Sequence, residues 1–72
     1  MKILYDPEVD ALSIVFRETT VTTEHLAPGI AADYDREGRL AAIEVLDAAS
    51  RLGGTETLRE VLLDGVGQPP RA

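Results

Sequence analysis

The chain has 72 residues, 44% of them apolar, no cysteine and a formal net charge of −6. That allows one small core and excludes disulfides and thiolate metal sites. No apolar run approaches the ~20 residues of a membrane helix, and the acidic balance disfavours direct binding to nucleic acid or anionic lipid.

The N-terminus, MKILYDPEVD, meets acidic residues at once, unlike a secretory leader, so a cytoplasmic protein is expected. Lys2-Ile3-Leu4-Tyr5 reads as a first strand, and Asp6-Pro7-Glu8 as a turn set by proline. In Ala11–Arg17, Leu12, Ile14 and Phe16 alternate with smaller or polar residues, the pattern of a half-buried strand. Glu18-Thr19 suits a turn. Thr20–Leu26 is β-branched and polar, which predicts an exposed third strand at a sheet edge.

Pro28-Gly29 breaks the chain again. Ile30, Ala32 and Tyr34 alternate along a fourth strand. Asp35-Arg36-Glu37-Gly38 predicts a type I turn with glycine in the left-handed position. Leu40–Asp47 is the fifth strand, with Ala41, Ile43 and Val45 on one face. Asp47 is placed to cap a short helical turn over Ala48–Leu52, ended by Gly53. Thr57 to Glu60 fits a capping box, followed by the stripe Leu58, Val61 and Leu62 and a stop at Gly65. These signals predict an α+β fold: a small antiparallel β-meander of four to five strands with one or two short C-terminal helices packed on the sheet. One domain is expected over residues 1–65, with a flexible tail over 66–72. The expected core is Ile3, Tyr5, Leu12, Ile14, Phe16, Ile30, Tyr34, Ile43 and Val45, closed by Leu58, Val61 and Leu62.

Charge is uneven. Residues 1–47 hold ten acids and four bases, whereas residues 48–72 hold three of each. A basic protein or a metal cation is the partner such a surface attracts. Asp33-x-Asp35-x-Glu37-Gly38-x5-Glu44 matches the calcium-loop spacing, with Glu37 where Asp or Asn is usual. Asp33, Asp35, Glu37 and Glu44 are therefore the candidate metal ligands, although strand patterns rather than helices flank them. Asp6, Glu8 and Asp10 form a second acidic run better explained by turn chemistry: Asp6 accepts a backbone N–H and Asp10 caps the approach to the second strand. His25 is the only histidine, and neither Ser13 nor Ser50 lies in a nucleophile elbow. The Gly53-Gly54-Thr55 segment lacks the lysine of a phosphate loop. No catalytic residue and no cofactor are expected.

Tyr5-Asp6-Pro7-Glu8-Val9-Asp10-Ala11-Leu12-Ser13-Ile14, Asp33-Tyr34-Asp35 through Gly38-Arg39-Leu40, and Ile43-Glu44-Val45-Leu46-Asp47-Ala48-Ala49-Ser50 together resemble the domain of unknown function 2283 family of short bacterial proteins. The resemblance covers roughly residues 1–52. Ser13 departs from it, standing where an aromatic is expected. It implies a small antiparallel sheet with a C-terminal helix and brings no catalytic residues. Size and charge suggest a non-catalytic protein-interaction module, antitoxin-like in being the acidic partner of a small basic protein. The alternative is a calcium-binding domain built on the Asp33–Glu44 hairpin. A helix this short cannot cover a five-stranded sheet, so a homodimer or a permanent partner complex is expected.

Overall fold

A computed structural model describes residues 1–67. Five strands form one antiparallel sheet: β1 (Lys2–Asp6), β2 (Ala11–Val15), β3 (Thr22–Ala27), β4 (Ile30–Tyr34) and β5 (Leu40–Leu46). A short helix α1 (Ala48–Leu52) and a 3-10 turn (Thr55–Leu58) follow. The fold is a small α+β arrangement whose helical part is very short. Residues 68–72 of the expected tail lie outside the described residues.

The strand order is β1-β2-β5-β4-β3. Strands β3, β4 and β5 run as a meander, and the β1–β2 hairpin joins the other side of β5. The departure from sequential order is the connection 16–21, which carries the chain from β2 to the far edge instead of closing a hairpin at Glu18-Thr19. Three strand spacings are ~14 Å and six extended residues reach ~20 Å, so the crossing is feasible. Its start is held by Ala41, whose carbonyl accepts the N–H groups of Phe16 and Arg17 at 2.8 and 3.2 Å. The exchange of neighbours suits the residues. The apolar β5 takes the centre, and the polar β3 is exposed along its whole length at the edge.

The β4–β5 turn has its expected form, with Gly38 at φ 79° and its N–H donating to the Asp35 carbonyl at 3.0 Å. The β4–β5 register shifts between Asp33 and Tyr34, a bulge that bends the sheet locally.

The C-terminal part differs from expectation. No α-helix forms over 57–65. Thr57 does not start a capping box; its hydroxyl donates back to the Leu52 carbonyl at 3.0 Å, satisfying the end of α1. Gly65 and Gly67 have φ of 82° and 86°, which interrupts any longer helix. Leu58 is half-buried and Val61 and Leu62 are exposed, so they do not close the core. Of the expected core Leu12 is buried, and the other buried apolar residues are the alanines 31, 32, 41, 42 and 48. Ile3 and Phe16 are exposed, and the other expected core residues are half-buried.

Candidate functional site

Cross-strand partners in an antiparallel sheet lie on the same face. The register therefore assembles two apolar rows, Ile3–Ile14–Ile43–Ala32 and Tyr5–Leu12–Val45–Ile30. They make a continuous apolar surface over four strands, with no charge until Glu24 on β3. The opposite face carries Leu4–Ser13–Glu44–Ala31–His25 and Lys2–Val15–Ala42–Asp33–Thr23. The two faces thus differ in chemistry as well as direction. Helix α1 contacts the 3-10 turn and meets the sheet at the Asp10 corner, where its first amides share Asp10 with the Tyr5 hydroxyl. Leu12 and Ala32 are buried within these rows, and the face is open toward its edge, with Ile3 at 38% and Phe16 at 36% exposure.

The four acids with calcium-loop spacing are distributed rather than gathered. Asp33 is buried on the polar face, where its Oδ1 accepts the Thr23 hydroxyl at 2.6 Å. Glu44 is exposed on β5 beside Ser13 and Ala31. Asp35 sits at the turn and is consumed by cations and amides. Its Oδ1 accepts the N–H groups of Glu37 and Arg39, both at 2.9 Å. Its Oδ2 accepts Arg39 Nε at 3.0 Å and the guanidinium of Arg17. These bonds, Arg17 first, hold its carboxyl well below the usual carboxylate range. Glu37 pairs with Arg39. Among the described residues, no group of three or more His, Asp or Glu side chains is arranged to hold a metal ion. The spacing is that of a calcium loop, but Asp33 is taken by Thr23, Asp35 and Glu37 by arginines, and Glu44 lies along the return strand, so the oxygens do not converge on one point.

The second acidic run does local work. Asp6 Oδ1 accepts the Glu8 N–H at 3.0 Å, the expected turn bond. Asp10, at φ 52°, does more than cap β2. Its Oδ1 accepts the Tyr5 hydroxyl at 2.7 Å and the Ala49 N–H at 2.9 Å, while its carbonyl accepts the Ala48 N–H at 3.0 Å. Asp10 thereby caps α1 from 39 residues away, a role expected of Asp47. Asp47 itself makes no side-chain cap bond. The bond to Asp10 is also the main reason the Tyr5 phenol pKa is raised. Beyond the helix, Arg51 donates to the carbonyls of Leu46 and Pro28, tying α1 to the β3–β4 turn.

Arg17, Arg39 and Arg51 were not distinguishable in advance as organising residues. Arg39 has a signal, its spacing of four from Asp35; the partners of Arg17 and Arg51 are set by the tertiary fold. On the polar face, Glu18, Thr19 and Val21 of the crossing connection share a shallow concavity of ≈ 280 Å³ with Ser13, Asp33 and Glu44. Ser13 on β2 and His25 on β3 share this face but stand three strands apart, ~14 Å, beyond hydrogen-bond reach. No described helix is long and apolar enough to cross a membrane.

No curated protein and no solved structure matches the chain. A family model described as "Protein of unknown function (DUF2283)" matches residues 2–48. That stretch runs from the first residue of β1 to the first residue of α1; it contains the whole sheet and the Asp10–Ala48 bond that closes it. With almost two thirds of its length matched by that model, the chain belongs to the DUF2283 family.

Proposed function

We propose that the chain is a non-catalytic protein-interaction module that associates with itself through the apolar face of its sheet. One observation carries this reading: the chain exposes more surface than a compact monomer. Its accessible area is 5779 Å², whereas a folded monomer of this mass exposes ~4400 Å². Granting residues 68–72 the full surface of an unfolded chain, residues 1–67 still retain an excess of ~850 Å². A stable interface removes ~800 Å² from each partner. The radius of gyration agrees, at 14.0 Å against ~11 Å for a compact chain of this length.

A basic partner, including an antitoxin-like role, has less support. Glu18, Asp35 and Glu37 are already paired with Lys2, Arg17 and Arg39, which reduces the acidity available to a visitor. The apolar rows carry no charge to oppose a second copy.

The test uses charge placed on either face. Ile3→Glu/Phe16→Glu changes two already accessible positions of the apolar face, and Leu4→Glu changes the opposite face of the same edge strand. Light scattering after gel filtration is expected to find the double variant monomeric and the Leu4 variant dimeric. A dimer that survives the first pair and is lost in the control refutes the proposed surface.

A further inference from the structure

A second uncovered apolar surface sits in the same chain. Val61-Leu62-Leu63-Asp64-Gly65-Val66 carries four large aliphatic side chains in six residues. All four are more than half exposed, with Leu62 at 78% and Val66 at 73%. Single exposed aliphatics are ordinary, but four clustered in one short segment form the kind of patch that marks a contact. The segment belongs to no helix or strand, so covering its side chains breaks no regular structure.

We infer that this segment of each copy lies across the apolar sheet face of the other, so that two chains exchange their C-terminal segments about a two-fold axis. The inference rests on the self-association proposed above and names what fills the face. Chemistry matches: the strip is aliphatic with one acid, Asp64, and the two rows it meets hold no charge. Within its own chain the segment is left uncovered, every residue from 61 to 67 being exposed. Helix α1 is pinned at the Asp10 corner by the Ala48 and Ala49 N–H groups, and the following turn contacts α1. The area matches as well, because the ~850 Å² excess of residues 1–67 is what one partner contributes to a standard interface. Exchange about a two-fold is closed, since each copy gives one strip and one face and neither is left to propagate a fibre.

The chain has no cysteine, so every engineered cross-link is attributable. Ile3→Cys and Leu62→Cys single variants are mixed and joined with a short bismaleimide, then sized. Both positions are exposed, and unchanged circular dichroism confirms that each variant folds. Exchange predicts the mixed 3–62 dimer as the main product, at least ~5-fold over either like-with-like product. Dominant 3–3 links overturn the exchange while leaving self-association through the sheet intact. A double variant that links 3 to 62 within a single monomeric chain overturns both. Independently, Leu62→Asp/Leu63→Asp is expected to weaken the dimer at least ~100-fold by removing four buried leucines per dimer. Unaltered association in that variant overturns the exchange.

Discussion

Asp10 is the residue on which the two ends of the fold meet. It receives the Tyr5 hydroxyl from β1 and the Ala49 N–H from α1. Asp10→Ala removes a helix cap and a side-chain bond together, so a loss of ~1–2 kcal/mol is expected, or ~5–15 °C in melting temperature for a domain of this size. Asp47 is its counterpart. It has φ 52° and makes no cap bond, so it bears the left-handed conformation without compensation. Asp47→Gly is therefore expected to leave stability unchanged or raise it slightly, and a fall of several degrees would show that Asp47 is the true cap. Asp35 gives a pH signature. Its folded pKa lies below its ordinary value of 3.8, so its contribution is complete above about pH 4 and is lost as pH falls further. In urea titrations the stability gap between the native chain and Asp35→Asn should be constant from pH 7 to 5 and narrow below pH 4. A gap that widens on acidification would reverse the assignment.

At the scale of elements, the strands were legible and their connection was not. The period-2 pattern of Leu12 and Ile14, and of Ile43 and Val45, placed each on the face the register confirms, because alternation follows directly from strand geometry. The turn at Asp35–Gly38 was legible through its glycine. The crossing at residues 16–21 was not, because six polar and apolar residues serve equally as a hairpin loop or a bridge across two strands. The helix expected after Thr57 failed for a related reason: Thr57 and Glu60 have capping-box spacing, but the Thr57 hydroxyl serves the end of α1. Thr57→Val is expected to cost about 1 kcal/mol, whereas Glu60→Ala should stay within about 0.5 kcal/mol. Equal losses in the two variants, read by thermal unfolding, would restore the capping box. The acidic spacing was equally visible, and it was strand context that sent Asp33, Asp35, Glu37 and Glu44 to separate duties.

At the scale of the whole molecule, one thin sheet has two unlike faces. The polar face is partly roofed by the chain's own crossing connection, and its buried Asp33 is satisfied by Thr23. The apolar face buries Leu12 and Ala32 but leaves its isoleucines half-buried or exposed, short of the burial that stability requires of a small domain. Under the proposed self-association a second copy supplies that burial, and stability should then depend on concentration, as it does for dimers whose monomers are incomplete. Melting temperature is accordingly expected to rise with protein concentration, and to become independent of it in Ile3→Glu/Phe16→Glu. The most direct measurement is sedimentation equilibrium of the untagged chain from micromolar to millimolar concentration. Self-association through the apolar face predicts a species of twice 7.8 kDa over the upper part of that range; a single 7.8 kDa species at every concentration would contradict it.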